Sequence, residues 1–175
     1  ELALTSTLLG YPEDSAGRLM SPEFISLRES MTVGEALAKI RRDGLDAETI
    51  YALPVLDDER HLIGVTGLRA LVIADRESLV ADLMNTDVRY VSTHTDQEVA
   101  ARLVSNEGLI ALPVVDAEER LVGVLTVDDA MAVLEEEESE DMALQGGRSP
   151  AREPYLAMSV FGLARTRALW LLVLI

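Results

Sequence analysis

Two stretches of this 175-residue chain are near copies of one another, and a repeat of that spacing limits what the chain can fold into. Residues 52–57 read ALPVLD and residues 111–116 read ALPVVD. Residues 62–71, LIGVTGLRAL, are matched at the same offset of 59 by LVGVLTVDDA at 121–130. Upstream, Leu19-Met20 is echoed by Leu83-Met84 at offset 64, which places a five-residue insertion in the first copy, around residues 43–50. A period near 60 exceeds the roughly 20–50 residues of solenoid repeats, and two copies do not make an array. The pattern predicts a tandem pair of small α/β modules.

Each copy runs in the same order. An extended stretch comes first, at 23–27 and 88–92. A capped helix follows: Thr32 caps 33–43 and Thr95 caps 97–106, each with a glutamate three residues on (Glu35, Glu98) that fits a capping box. Two short apolar strands come next, 53–56 with 62–66 and 112–115 with 121–125, joined by acidic polar turns suited to hairpins. A second helix closes each copy, 68–74 and 127 onward, so the pattern is β-α-β-β-α twice. Gly64 and Gly67 are read as close strand–helix packing, and His61 as a solvent-exposed turn residue.

Composition narrows the function. Hydrophobic residues make up 49% of the chain, enough for a core. There are no cysteines, hence no disulfide, thiolate metal site or cysteine nucleophile. A net charge of −16 repels phosphate backbones and argues against nucleic acid as a partner. No G-x-S-x-G, P-loop or dinucleotide fingerprint is present, so the chain is expected not to be an enzyme. The chain starts at Glu1 and ends in the apolar run ALWLLVLI at 168–175, shorter than the ~20 residues of a membrane span. Both ends are therefore expected to be cut from a longer protein, with Arg165 and Arg167 on the cytoplasmic side of a span that 168–175 begins.

Between Arg120 and Arg148 stands no basic residue, and that gap holds Asp128, Asp129, Glu135, Glu136, Glu137, Glu138, Glu140 and Asp141. A helix from 127 to about 145, ended by Gly146-Gly147, places Asp128 and Asp129 at its favourable N-terminus. The later carboxylates have no such compensation. Glu136/Glu140, Glu137/Asp141, Glu135/Glu138, Glu137/Glu140 and Glu138/Asp141 are like-charge pairs three or four apart. At about 0.2–0.5 kcal/mol each, they cost roughly 1–2.5 kcal/mol together. Clustered carboxylates without His or Cys are hard oxygen ligands suited to Mg²⁺ or Ca²⁺ rather than Zn²⁺.

The repeat resembles the cystathionine-β-synthase (CBS) domain pair, a regulatory module that binds ligands between its copies. The order CBS pair, acidic connecting helix, apolar tail is similar to the cytosolic part of MgtE-type magnesium transporters, as are YPEDSAGRLM at 11–20, TVDD at 126–129 and SED at 139–141. The resemblance implies the end of a preceding N-terminal helical region at 1–17, CBS modules at 18–78 and 79–134, and an acidic extension of the connecting helix at 135–147. A linker and plug helix at 148–167 and the start of a transmembrane helix at 168–175 would follow. It implies Mg²⁺ held by Glu98, Asp129, Glu137, Glu140 and Asp141, with Ala132 and Gly108 standing where the family carries further aspartates. Many CBS pairs bind adenosine nucleotides through T-x-x-D. Thr126–Asp129 matches, whereas Thr66 followed by Arg69 does not, and the family's aromatics near Ala52 and Leu109 and its acid near Ala70 are missing. An ATP site would therefore rest on Arg69, Thr126 and Asp129. The expectation is a Mg²⁺-sensing, gating region, homodimeric through its CBS modules. It would be continuous with a pore domain at the cytoplasmic face of the cell (inner) membrane. The alternative is a nucleotide-sensing CBS module of another membrane protein.

Overall fold

A computed structural model describes residues 10–145, with side chains as far as Ser139. It forms a compact unit that extends to Val133, and the residues from Leu134 onward belong to a second unit. The elements are α1 (Ala16–Leu19), β1 (Leu27–Arg28), α2 (Val33–Asp43), β2 (Ala52–Leu56), β3 (Leu62–Gly67), α3 (Leu68–Ile73), a 3₁₀ turn (Val80–Asp82), β4 (Val91–Ser92), α4 (Gln97–Glu107), β5 (Ala111–Val115), β6 (Leu121–Thr126) and α5 (Val127–Gln145). The fold is mixed α/β, with two three-stranded sheets ordered β1-β2-β3 and β4-β5-β6.

The strands follow from the apolar runs. Leu53–Leu56 and Leu112–Val115 are buried without alternation, as strands covered on both faces are. Both runs contain a proline, which ordinarily confines a strand to an edge. The partner strands resolve this. β1 pairs with β2 only from Val55, and β4 with β5 only from Val114, so Pro54 and Pro113 stand where the central strand has one neighbour. The extended stretches expected at 23–27 and 88–92 are thus reduced to two paired residues each, Leu27–Arg28 and Val91–Ser92, at their C-terminal ends.

Helix starts behave differently in the two copies. Thr32 and Glu35 form the expected capping box, which holds the Glu35 carboxyl below its ordinary range through the backbone and side chain of Thr32. At α4 the expectation is corrected, because Asp96 and not Thr95 is the cap. Asp96 Oδ1 accepts from the N–H groups of Glu98 and Val99 at 2.9 and 3.2 Å. The Thr95 hydroxyl instead accepts from the Ser92 N–H. Glu98, freed from the capping box, pairs with Arg102 one turn on, Nε to Oε1 at 2.9 Å. Gly108 ends α4 at φ +63°, a left-handed cap that favours glycine over aspartate.

The two leader segments exchange modules. Ser21, ahead of the first copy, pairs with Val124 of the second through reciprocal hydrogen bonds of 2.8 and 2.9 Å. Asn85, ahead of the second copy, pairs in the same way with Val65 of the first at 2.9 Å. The echoed methionines follow. A Cβ on Gly123 would lie 2.5 Å from Met20 Sδ, and one on Gly64 would lie 2.8 Å from Met84 Sδ. Gly64 is therefore a close approach, but to a leader segment and not a helix. Gly67 is not one, since its added Cβ would meet nothing nearer than 3.6 Å.

The β-hairpins close a second seam. Asp57 Oδ1 accepts from the N–H groups of Glu59 and His61, and Asp116 Oδ1 from those of Glu118 and Arg120, so one acid frames each turn. Arg60 and Glu119 occupy the left-handed region at φ +74° and +61°. The turns meet where the Leu121 N–H donates to the Arg60 carbonyl at 3.1 Å and His61 bridges Arg120. His61 is consequently half-buried, with 35% of its side chain exposed and Nδ1 3.0 Å from Asp57 Oδ2, which corrects the expected open turn.

The bond to Asp57 raises the His61 pKa above its ordinary 6.5 against the opposing effect of burial, aided by the charges of Asp57 and Glu59 and by the Glu118 backbone. Burial works against the Asp57 carboxylate, but the hydrogen bonds from His61 and Glu59 outweigh it and lower its pKa. A raised folded-state pKa makes protonated His61 stabilising below 6.5, and that contribution disappears as pH rises through the folded value. The urea midpoint should therefore decline as pH rises above about 6.5. His61→Asn should flatten the decline, and equal slopes for the two proteins would contradict the seam's role.

Candidate functional site

The ends of β3 and β6, where each strand turns into a helix, carry the residues suggested for a nucleotide. Gly67 pairs with Ala52 and Thr126 with Ala111, so Gly67 is the counterpart of Thr126 and Ala70 that of Asp129. Thr66 aligns with Leu125, one position away from the motif, which corrects the comparison of Thr66 and Arg69 with T-x-x-D. In the second copy the Thr126 hydroxyl donates to Asp129 Oδ2 at 2.6 Å and fixes the acid at the start of α5. The Asp128 carboxyl, near the same hydroxyl and the N–H groups of Asp128 and Asp129, is held below the ordinary range.

Arg69 is exposed at the start of α3, on a cavity of about 580 Å³ that it lines with Gly67, Ala70, Ile73, Ala74 and Leu83. Neither Thr126 nor Asp129 is part of that lining. The structure thus joins Thr126 to Asp129 and leaves Arg69 in a separate recess of the first module.

Thr66 is a feature that sequence reading missed. It is 2% exposed, and its hydroxyl has no hydrogen-bond partner among the described residues. The signal was the strict offset of 59, which sets it against Leu125 in the core.

The acidic helix is present as expected. α5 runs from Val127 to Gln145 as one 19-residue helix with no basic residue in its last turn. Glu135, Glu136 and Glu138 are exposed, Glu137 is half-buried, and the Ser139 hydroxyl donates back to the Glu135 carbonyl at 2.8 Å. The side chains of Glu140 and Asp141, and residues 148–175 with their expected plug and membrane segments, lie outside the described residues. Among the described residues no group of three or more acidic or histidine side chains is close enough to hold a metal, and no helix is long and apolar enough to cross a membrane. Glu98 and Asp129 each have a protein partner, Arg102 and Thr126.

A paired β-α-β-β-α unit with its leader segments exchanged defines a tandem α/β module. The CBS domain model matches residues 16–77 and 80–136, and the chain belongs to that family. Within it, the chain is homologous to MgtE magnesium transporters. It is 46% identical over 173 residues to the magnesium transporter MgtE of Thermus thermophilus, across 99% of this chain and 38% of that protein. It is 38% identical over 134 residues to MgtE of Enterococcus faecalis, across 77% of this chain and 30% of that protein. The chain thus spans well under half the length of these relatives. Among solved structures, the cytosolic domain of the Mg²⁺ channel MgtE in complex with ATP matches at 50% identity and a TM-score of 0.73, over 75% of this chain and 53% of that one.

A buried hydroxyl without a partner destabilises a fold, and removing it at near-constant shape reverses the effect. Thr66→Val should raise stability by roughly 1 kcal/mol, read from urea unfolding. Thr126→Val, which breaks a made bond at a helix start, should lower stability by roughly 1 kcal/mol. Destabilisation by Thr66→Val would reveal a partner for its hydroxyl.

Proposed function

We propose that this chain is the Mg²⁺-sensing, gating region of a magnesium transporter, regulatory and not catalytic. It would be joined to a pore at the cytoplasmic face of the membrane and paired with a second copy through its CBS modules. The observation that carries this reading is the acidic helix α5, which leaves a CBS pair and holds no basic residue to offset its charge. In the proposed mechanism, carboxylates of Glu137, Glu140 and Asp141, with Asp129 and Glu98 from the CBS pair, repel one another at low Mg²⁺ and hold the closed arrangement apart. Mg²⁺ bridges them when it is abundant. An ion at 100 times its Kd that binds only the closed state stabilises it by about 2.7 kcal/mol. That is comparable with the roughly 1–2.5 kcal/mol of repulsion among the helix carboxylates. The ligand must bind the closed state more tightly, since equal affinity shifts nothing.

A second reading, binding of an adenosine nucleotide such as ATP, is favoured by the cavity at Arg69 and by the Thr126–Asp129 pair. It is compatible with the first, because the two use different side chains apart from Asp129.

The test is thermal unfolding across a Mg²⁺ titration at fixed ionic strength. The melting temperature should climb with Mg²⁺, by about 2–4 °C per kcal/mol of binding free energy for a chain of this size. With Glu137→Gln, Glu140→Gln and Asp141→Asn combined, it should climb far less while the fold stays intact. An unchanged response in that variant would sink the site assignment.

A further inference from the structure

β2 has two ends, and the cavity at Arg69 occupies one of them, beside Ala52 and Gly67. At the other end, past Leu56, lies a pocket of about 340 Å³ bordered by Phe24, Ser26, Arg28, Lys39, Asp57 and Arg60. Three basic residues from three separate elements (Arg28 of β1, Lys39 of α2 and Arg60 of the first hairpin) line it in a chain of net charge −16.

Lys39 is the single lysine of the sequence. It is half-buried, and its ammonium donates to the Ser26 carbonyl at 2.6 Å, leaving two of its three N–H groups without a partner among the described residues. The Arg60 guanidinium donates to the Leu121 carbonyl at 3.3 Å. Neither Lys39 nor Arg60 has a carboxylate within ion-pair distance among the described residues. Arg28 is paired with Asp58, but those side chains are 52% and 97% exposed, and a pair so open to water exchanges readily for a stronger partner. The fourth charge, Asp57, already accepts from Glu59 N–H, His61 N–H and the His61 ring, so its negative charge is engaged within the turn.

We propose that this pocket binds a phosphate group. A tetrahedral oxyanion presents oxygens in three directions, enough for the three basic residues that line the pocket, and arginine forks grip such an anion in pairs of hydrogen bonds. A planar carboxylate has two oxygens and satisfies fewer of them. A protonated phosphate oxygen also donates to Asp57, where an unprotonated anion would be repelled. The lining of the pocket shares no residue with the strand-to-helix turns or with the acidic helix.

Because Lys39 is the single lysine, amine acylation followed by mass spectrometry reports on this pocket alone, with the N-terminal amine as an internal control. Inorganic phosphate at millimolar concentration should slow acylation of Lys39 several-fold relative to chloride at equal ionic strength. The effect should saturate and should not extend to the N-terminal amine. Arg28→Gln combined with Arg60→Gln should raise the phosphate needed by about tenfold or more. Arg69→Gln, at the far end of β2, should leave it unchanged. Equal rates in phosphate and chloride, equal protection by acetate, or protection that survives the double substitution would each overturn the proposal.

Discussion

The pairing of each leader segment with the other repeat's sheet is the constraint on which the rest of the structure depends. Ser21 with Val124, and Asn85 with Val65, extend each sheet with a strand end contributed from before the neighbouring copy. Gly123 and Gly64 admit the Met20 and Met84 side chains where any Cβ would collide. Neither repeat is then complete by itself. Residues 16–21 close the second and residues 78–85 close the first, so the two share one folding unit. The hairpin seam at Arg60, His61 and Leu121 ties the same two modules through a different set of contacts. A ligand that contacts both copies would thus act on a body already joined in two places.

Much of this was legible in the sequence because the repeat compares the chain with itself. The central strands are unbroken apolar runs bounded by Asp57 and Asp116, and the structure places their starts and ends within a residue of expectation. The helix starting at Val127 runs to Gln145, the last described residue, and its expected end at Gly146-Gly147 lies outside the described residues. Misses occurred where two neighbouring residues competed for one role. Thr95 and Asp96 are both cap formers, and the choice fell to Asp96 because the Thr95 hydroxyl is taken by Ser92. Thr66 was matched to Thr126 by residue type, when the ladder register sets Gly67 there. His61, Lys39 and the two arginines of the phosphate pocket gave no local signal. Their surroundings come from residues far apart in sequence, brought together by the hairpin and by the parallel pairing of β1 with β2.

Charge divides the molecule by role. Inside the CBS pair, four acids have protein partners that tie them to the fold: Asp57 with His61, Asp58 with Arg28, Glu98 with Arg102 and Asp129 with Thr126. The stretch from Glu135 to Asp141 has a sequence with no basic residue at all. A helix that concentrates acids with no basic residue in its own sequence is one whose stability responds to counter-ions. Divalent cations act on such a helix more strongly than monovalent salt only if the carboxylates converge on a shared ion. The proposed sensor therefore stands on the difference between Mg²⁺ binding and simple screening.

Tryptic cleavage after Arg148 and Arg152, which follow the acidic helix directly, measures that difference. With ionic strength held constant by KCl, millimolar Mg²⁺ should slow cleavage at those two arginines while leaving trypsin's rate on an unrelated substrate unchanged. Identical rates with and without Mg²⁺ would mean that the acidic run is only a solvated face, and would contradict the account.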